Sequence, residues 1–229
     1  MPADIPVITV DGPSGSGKGT LCQLLATKLG FHLLDSGALY RLTAVAGLQQ
    51  GIDLHNEALA AQVASELDVS FSVGAAEQGV VVLLGGVDVT RDIRQEQAGM
   101  GASIVAAHKQ VRSSLLQRQR AFQQLPGLVA DGRDMGTTVF PDASVKVFLV
   151  ASAEERAHRR HQQLLQRGES ANLRALLSDI EERDKRDTER SASPLLPASD
   201  ALVIDSTQLS ITEVLDKVLA VVEKNLDIS

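Results

Sequence analysis

The chain has 229 residues, a formal net charge of −7, and hydrophobic residues at 44% of its positions. These values predict one sizeable domain with a small insertion, and the acidic balance argues against a protein that mainly grips a nucleic-acid backbone. The N-terminus has no basic segment followed by an apolar one, and no apolar run reaches membrane-spanning length. Cys22 is the single cysteine, so no disulfide framework is expected, and it is predicted to be a small core residue. We therefore expect a cytoplasmic protein without membrane or nucleic-acid polymer partners.

Strands and helices alternate along most of the chain. Continuous apolar runs bounded by turn residues predict five strands that are buried on both faces, at residues 5–10, 31–37, 126–134, 145–152 and 201–207. Helical spacing of apolar residues follows the first run, and further helical patterns cover residues 154–166, 172–190 and 209–224. The predicted fold is α/β, a P-loop five-stranded parallel sheet with helices on both faces.

One region departs from this alternation. Val69, Phe71 and Val73 alternate with polar residues, and the pair Gly85–Gly86 is suited to closing a hairpin. Two or three short antiparallel strands are therefore expected here, as an insertion at residues 62–94. The core domain is then predicted to comprise residues 1–61 and 95–229.

The stretch "DGPSGSGKGT" at residues 11–20 lies between the first predicted strand and a predicted helix. Its glycines allow backbone N–H groups to point at phosphate oxygens, and the helix N-terminus adds partial positive charge. A flexible glycine turn is the alternative, and the flanking strand and helix argue against it. The residues predicted to bind the phosphates of ATP are Gly12, Pro13, Ser14, Gly15, Ser16, Gly17, Lys18, Gly19 and Thr20.

The hydroxyl residue of this motif comes one position late. Gly19 occupies the position at which many P-loop proteins bind magnesium through Ser or Thr, and Thr20 follows it. The form G-x-x-G-x-G-K-G-T is similar to that of nucleoside monophosphate kinases, in which phosphates and water mainly hold the metal. We therefore expect Mg²⁺ as a cofactor with ATP, and no direct metal ligand from the protein.

Phosphoryl transfer requires positive charge around the transferred group, so arginines near strand ends are candidate acceptor-site residues. Arg41 follows the strand that ends at Asp35. Asp131 ends a buried strand, where an acid can orient magnesium-bound water, and Arg133 and Asp134 come directly after it. The alternatives are a solvated helix residue for Arg41 and a tight Asp-Gly turn for the second group.

Two helical patterns carry further arginines. Arg183, Asp187 and Arg190 share one helical face, although a salt-bridged exposed helix would show the same spacing. Arg156, Arg159 and Arg160 fall at i, i+3 and i+4 of a basic helix that we predict to close over the ATP phosphates as a lid at residues 154–170, with Arg156 and Arg160 predicted to contact ATP. A solvated basic face is the alternative for this second helix.

Two histidines on the predicted lid helix, His158 and His161, lie three residues apart. Metal binding by this pair is conceivable, but the sequence offers no evident third ligand. Surface positions are the preferred interpretation.

Five motifs occur in the chain in this order: "DGPSGSGKGT", "LLDSGALYR", "LPGLVADGRDMGTTVFPDA", "ERAHRR" and "ERDKRDTER". Together they resemble the motifs of the bacterial-type cytidylate kinases over essentially the whole chain. The resemblance implies direct in-line transfer of phosphate from MgATP to CMP, with dCMP as a further acceptor, and no covalent intermediate. It also implies that the 62–94 insertion belongs to the monophosphate-binding region. The residues it implies for contact with the monophosphate are Ser36, Arg41, Ser103, Arg112, Arg133, Asp134, Arg183, Asp187 and Arg190.

Lys18 and the loop amides are expected to hold the ATP phosphates, and Arg41, Arg133 and Arg190 to neutralise the acceptor phosphate and the transition state. Arg183 and Asp187 are expected to face the ribose. Lys18, Arg133 and Arg190 are the predicted catalytic residues, and the protein is expected to act as a monomer. The remaining alternatives are a kinase acting on uridylate or a sugar acid, and a nucleotide-binding regulatory module without turnover.

Overall fold

The computed structural model describes residues 5–73 and 80–226. The chain divides into two compact units, one formed by Met1–Asp35 with Arg120–Ser229 and the other by Ser36–Gln119. Within the described residues, no helix combines the length and the apolar composition that crossing a bilayer requires. The predicted insertion at residues 62–94 falls inside the second unit, and its boundaries stay a prediction.

The helices and strands have the following bounds in chain order: β1 Val7–Asp11, α1 Lys18–Leu29, β2 His32–Asp35, α2 Ser36–Gln49, α3 Glu57–Ser65, β3 Val69–Val73, β4 Val80–Leu84, β5 Val87–Asp88, α4 Glu96–Val105, α5 Lys109–Arg120, β6 Leu128–Gly132, β7 Val145–Val150, α6 Ala153–Gln166, α7 Leu173–Glu189, β8 Leu202–Asp205 and α8 Ile211–Leu226. A 3₁₀ turn at Asp92–Arg94 and a π-helical turn at Met135–Val139 complete the described elements.

The first unit contains a five-stranded sheet in the order β2-β6-β1-β7-β8, and all of its described pairings are parallel. Each strand is a short apolar run, and the central strand β1 is buried along its whole length. Ile8 and Val10 of this strand pack with Leu21 and Leu25 of α1 and Val218 of α8 in one hydrophobic cluster. The predicted parallel sheet is confirmed, and Cys22 is confirmed as a core residue because it is fully buried in the same cluster.

The strand order places a topological switch point at the carboxyl end of β1, between β6 on one side and β7 on the other. Ligands of open parallel sheets bind at such points. The parallel register aligns Asp11 with Gly132, and Asp35 with Asp131, so the acidic strand ends of β1, β2 and β6 lie at one edge of the sheet. The loop of residues 12–17 continues from β1 at this edge.

The second unit contains α2, α3, α4 and α5 together with the antiparallel sheet β3-β4-β5. The predicted antiparallel strands are therefore confirmed. Gly85 and Gly86 have φ angles of 55° and 80°, a left-handed pair that lets a tight hairpin connect β4 to β5. The side chains of Phe71 and Val73, and the whole of residues 74–79, lie outside what the structure describes.

Gly12 is the first glycine of the loop and is more constrained than the others. Its φ is 146°, and a Cβ atom added there would lie 2.1 Å from the carbonyl oxygen of Leu149 in β7, a backbone atom that cannot move aside. Gly30 also has a positive φ, 67°, but nothing lies within 4 Å of an added Cβ. A side chain would therefore strain the backbone at both positions, but it would also clash with a neighbouring strand at position 12.

We expect Gly12→Ala to lower the free energy of unfolding by at least about 2 kcal/mol more than the matched variant Gly30→Ala, whose cost should be about 1 kcal/mol. Urea denaturation of the two variants and the parent measures the difference. Equal losses for the two variants would show that strand β7 accommodates the methyl group.

Candidate active site

The phosphate loop, residues 12–17, is supported from outside at its carbonyl oxygens. Arg156 Nη1 donates a hydrogen bond to the carbonyl oxygen of Ser14 at 3.1 Å, and Ser206 Oγ donates to that of Ser16 at 3.1 Å. The N–H and C=O groups of a trans peptide point in opposite directions, so the N–H groups of Gly15 and Gly17 point away from these supports. Such N–H groups, next to a helix N-terminus, form a concave site for phosphate oxygens.

Lys18 begins α1 and is buried, with 5% of its surface exposed. Its Nζ donates to the carbonyl oxygen of Pro13 at 2.7 Å and lies 3.4 Å from Ser16 Oγ. Burial lowers the pKa of Lys18, the nearby Arg133 lowers it further, and Asp131 opposes both effects. The ammonium group is thus folded onto its own loop in surroundings that disfavour its charge, and phosphate oxygens would stabilise that charge.

Asp131 lies beside this lysine at the end of β6. Burial raises the pKa of its carboxyl group, Lys18 lowers it, and Asp35 on the neighbouring strand raises it. A Cβ atom added to Gly19 would lie 3.6 Å from Asp131 Oδ2. The space next to the missing hydroxyl of the motif is therefore bordered by a carboxylate oxygen.

Arg133, Asp187 and Arg190 form one cluster in the first unit. Arg133 Nε donates to Asp187 Oδ2 at 3.0 Å, and Arg190 Nη1 lies 3.8 Å from Asp187 Oδ1. Burial opposes ionisation of Asp187, but Arg133, Arg183 and Arg190 outweigh it and hold the pKa of this carboxyl below its usual value. The cluster is a fixed set of guanidinium groups around one buried carboxylate.

The structure corrects one detail of this cluster. The helical pattern placed Arg190 on the same helix as Arg183 and Asp187, but α7 ends at Glu189 and Arg190 is extended, with φ −61° and ψ 139°. Its side chain still reaches Asp187, and its Nε donates to the carbonyl oxygen of Ser193 at 2.7 Å. The chain turns after Glu189, and Leu195 N donates back to the carbonyl oxygen of Asp187.

Arg156 of the predicted lid helix is buried rather than solvated. Both of its terminal nitrogens donate to the Asp184 carboxylate of α7, and its Nε donates to the carbonyl oxygen of Ala151. Because it also supports Ser14, this side chain connects α6, α7 and the phosphate loop. Arg160 is half-buried on the same helix, and contact of either arginine with ATP remains a prediction.

Four predicted site residues belong to the second unit. Ser36 and Ser103 are buried, and the Ser103 hydroxyl has no hydrogen-bond partner among the described residues. Arg41 Nη1 donates to the carbonyl oxygen of Ile93 at 3.0 Å. Arg112 Nη1 donates to that of Ala106 at 3.2 Å, and its guanidinium lies 5.6 Å from the centroid of the Tyr40 ring. Backbone carbonyls thus orient both arginines.

Asp134 directly precedes the π-helical turn and is buried, with 2% of its surface exposed. Its carbonyl oxygen accepts hydrogen bonds from the N–H groups of Thr138 and Val139. The next two N–H groups along the chain donate to a residue that the sequence analysis did not select: Met135 N to Asp11 Oδ1 and Gly136 N to Asp11 Oδ2, both at 2.8 Å.

Sequence reasoning missed Asp184 and Ser206, and it identified Arg159 only as part of the basic lid helix. Arg159 Nη2 donates to the carbonyl oxygen of Ser206 at 2.6 Å, and Ser206 in turn supports Ser16. These residues act on the backbone of the phosphate loop from distant parts of the chain. The regular spacing of arginines at 156 and 159 was the available signal, but it did not reveal their partners.

The described residues offer magnesium a carboxylate but no cluster of ligands. Among residues 5–73 and 80–226, no three His, Cys, Asp or Glu side chains come together as a metal-binding set, and His161 Nε2 lies 3.1 Å from the carbonyl oxygen of Ala171. The Asp131 carboxylate beside Lys18 nevertheless suits a hydrated magnesium ion, because carboxylate oxygens accept hydrogen bonds from its water ligands. The site fits a metal held mainly by nucleotide and water.

A lysine within a glycine loop, at the switch point of a parallel sheet with the order β2-β6-β1-β7-β8, defines the class of this protein as a P-loop α/β protein. The acidic and arginine-rich strand ends next to the loop are in keeping with proteins of this class that transfer phosphoryl groups.

The chain belongs to the cytidylate kinase family, which it matches over residues 8–224. It is 58% identical over 226 residues to a cytidylate kinase of Aeromonas hydrophila subsp. hydrophila, covering 99% of this chain and 97% of that protein. It is 59% identical to those of Stutzerimonas stutzeri, over 94% of both chains, and Pseudomonas syringae pv. tomato, over 96% of both chains.

The buried Asp11 carboxyl generates a pH prediction. Burial raises the pKa of Asp11 from 3.8 to about 6, although the N–H groups of Gly136 and Met135 oppose the shift. A raised pKa means that the native state binds the proton more tightly, so the free energy of unfolding should fall as pH rises through this window.

We expect the free energy of unfolding of the parent, relative to that of Asp11→Asn, to fall by about 2 kcal/mol between pH 4 and pH 7. Urea denaturation of both proteins across this range measures it, and the variant cancels the titration of other groups. A difference that moves toward the parent with rising pH would mean that the two N–H bonds outweigh burial.

Proposed function

We propose that this chain transfers the terminal phosphoryl group of ATP to CMP, with dCMP as a second acceptor, in one in-line step without a covalent intermediate. The observation that carries the proposal is the pairing, within one unit, of a buried loop lysine with the Arg133–Asp187–Arg190 cluster. The names of the relatives, all cytidylate kinases, support CMP as the acceptor.

On the donor side, the N–H groups of the phosphate loop would bind the β- and γ-phosphates of ATP. Lys18 would exchange its bond to the Pro13 carbonyl oxygen for the phosphate oxygens. The charge of the Lys18 ammonium group is disfavoured in the free protein. Its interaction with the phosphate oxygens would strengthen as negative charge develops on the transferred group and the leaving oxygen. Arg156 and Arg160 are proposed to contact ATP as well, and Arg156 also fixes the Ser14 carbonyl.

On the acceptor side, Arg133 and Arg190 are proposed to neutralise the CMP phosphate and the charge of the transition state. Asp187 holds both guanidinium groups in place, which reduces the reorganisation required when the phosphates arrive. Arg183 and Asp187 are proposed to face the ribose. Arg41 of the second unit, oriented by the Ile93 carbonyl, is proposed as a further phosphate ligand.

Magnesium is proposed to accompany ATP, held by the phosphates and by water that Asp131 orients. When bound, the ion neutralises charge on the β- and γ-phosphates. Gly19 provides no hydroxyl at this point, so the Asp131 carboxylate is the chain's own contribution to holding the metal-bound water. The protein is proposed to work as a monomer in the cytoplasm, with residues 62–94 and 154–170 closing over the nucleotides to exclude water.

Recognition of cytosine is proposed for Asp134, Arg112 and Ser103. A carboxylate only accepts hydrogen bonds, so it suits the N4 amino group of cytosine and opposes the O4 carbonyl of uracil. Arg112 only donates and suits N3 or O2 of cytosine. The buried Ser103 hydroxyl, without a partner among the described residues, can donate or accept beside it.

The proposal is tested by an acceptor panel in a coupled assay of ADP formation. CMP and dCMP should be phosphorylated, and UMP, AMP and sugar acids should react far more slowly. Lys18→Ala should retain the fold and lower kcat by at least about a hundredfold, because one preorganised positive charge is lost. ATP binding without ADP formation on any acceptor would identify a regulatory module instead, and a preference for UMP or a sugar acid would identify a different kinase.

Asp134→Asn keeps the shape of the side chain but places a donor on it. We expect kcat/KM for CMP to fall and the preference for CMP over UMP to narrow by at least about tenfold, roughly 1.4 kcal/mol. Steady-state kinetics with both acceptors measures the ratio.

The matched control is Asp142→Asn, the same change in an exposed turn further along the same loop, which should leave the ratio unchanged. If Asp134→Asn keeps the parent ratio while remaining active on CMP, this carboxylate does not read the base.

A further inference from the structure

Asp11 makes a contact that neither the phosphate-loop motif nor the proposed substrate contacts explain. It is the last residue of β1, it is 5% exposed, and each carboxylate oxygen accepts one backbone N–H. Oδ1 accepts from Met135 and Oδ2 from Gly136, both at 2.8 Å. Hydrogen bonds to an ionised acceptor are about twice as strong as neutral ones, and the two bonds together fix orientation as well as distance.

This contact lies at the end of the pairing between β1 and β6. The pairing of β1 with β6 ends at Asp11 and Gly132, so ladder hydrogen bonds do not fix the backbone of residues 133 and 134 beyond it. Met135 and Gly136 follow directly, and Gly12 of the phosphate loop directly follows Asp11. One carboxylate therefore joins the start of the phosphate loop to the far end of the segment that carries Arg133 and Asp134.

The local packing is built for this approach. A Cβ atom added to Gly136 would lie 2.9 Å from Thr9 Oγ1 and 3.2 Å from Lys146 Cδ, so only glycine lets the turn come this close to β1. The acceptor must also be a carboxylate of this length. Asn offers a single acceptor oxygen and would direct its NH₂ group at the second N–H, and Ser has one oxygen on a shorter side chain.

The charge on Asp11 is costly to the fold, since burial raises the pKa of this carboxyl to about 6. The charged or titratable groups that influence it are Asp134, Lys18, Arg133 and Cys22. Residues whose ionised form is retained against burial are found preferentially at functional sites.

We propose that Asp11 is a positioning residue for phosphoryl transfer, which holds the Arg133–Asp134 segment in register with the phosphate loop through the N–H groups of Met135 and Gly136. The proposal rests on the proposed function for its kinetic consequence and on the geometry alone for the contact. Asp11 touches neither nucleotide in this account; it acts through Arg133 and Asp134.

The kinetic test uses Asp11→Asn in the full chain. We expect kcat/KM for CMP to fall by at least about tenfold and the CMP-to-UMP ratio to narrow by about threefold or more, because both depend on the 133–134 segment. The Kd of ATP, measured by calorimetry, should change by less than about threefold. The phosphate-loop carbonyls keep their bonds to Arg156 and Ser206, which this variant does not alter.

The matched control is Asp53→Asn, which also removes a carboxylate acceptor of a backbone N–H, that of His55, at an exposed position. Asp53→Asn should leave kcat/KM for CMP, the CMP-to-UMP ratio and the Kd of ATP unchanged. The proposal is overturned if folded Asp11→Asn retains the parent kcat/KM and acceptor ratio. It is equally overturned if kcat/KM and ATP binding fall together in proportion to the loss of folded protein, since that is the result of a purely structural role.

A second measurement does not depend on turnover or on the variant folding. In the parent protein, the amide-proton resonances of Met135 and Gly136 should shift together between pH 4.5 and pH 7.5 as the Asp11 carboxyl titrates. Where Asp11→Asn is folded, this joint shift should disappear and at least one of the two amides should exchange faster. Two amides that do not respond to pH while the Asp11 side-chain carboxyl resonance titrates would overturn the contact itself. A parent without CMP kinase activity but with the joint shift would instead refute the proposed function and leave the contact standing.

Discussion

The constraint on which the rest of the structure depends is the burial of a lysine ammonium group within a glycine loop. Lys18 is almost wholly removed from water, and its nearest described acceptors are a backbone carbonyl and a serine hydroxyl of its own loop. A neutral acceptor compensates a buried charge only in part. The site therefore favours binding of a ligand with several negatively charged oxygens, and a nucleoside triphosphate is such a ligand. The fold must provide the free energy that keeps this charge in place.

That free energy comes from the sheet and from supports that act on the loop's backbone. The cluster around Ile8 and Val10 fixes β1, and Arg156 and Ser206 hold the carbonyl oxygens of Ser14 and Ser16. Each support satisfies an acceptor on the outside of the loop and leaves the N–H groups for phosphate. Loss of the Asp184 carboxylate would leave the buried Arg156 guanidinium without its ion-pair partner and would loosen its hydrogen bond to the Ser14 carbonyl. Stability and phosphate binding therefore depend on the same side chain.

The sequence predicted the elements well because their signals are local. Each of the five parallel strands is a continuous apolar run, and the Gly85–Gly86 pair predicted its hairpin. The prediction was less successful where contacts between distant parts of the chain determine the surroundings of a side chain or the end of a helix. Arg156 has the spacing of a solvated basic face, yet it is buried against Asp184, 28 residues away. Asp11 contacts Met135, 124 residues away. Periodicity also extended α7 through Arg190, whereas the bond from Leu195 back to Asp187 turns the chain.

The missing hydroxyl at Gly19 and the acids at the strand ends are two parts of one arrangement. A side chain at position 19 would begin 3.6 Å from Asp131 Oδ2, so a serine hydroxyl there would lie next to the carboxylate, at the position from which other P-loop proteins bind the metal ion directly. With glycine at this position, the proposed contact to the metal-bound water comes from Asp131 of β6, and Arg133 and Asp134 follow it in the chain. In the proposed mechanism, the strand whose Asp131 orients the metal-bound water on the donor side is also the strand that places Arg133 for the acceptor phosphate. Rigid coupling of donor and acceptor through one strand is what an in-line transfer requires, because the reacting atoms must be aligned before charge begins to move.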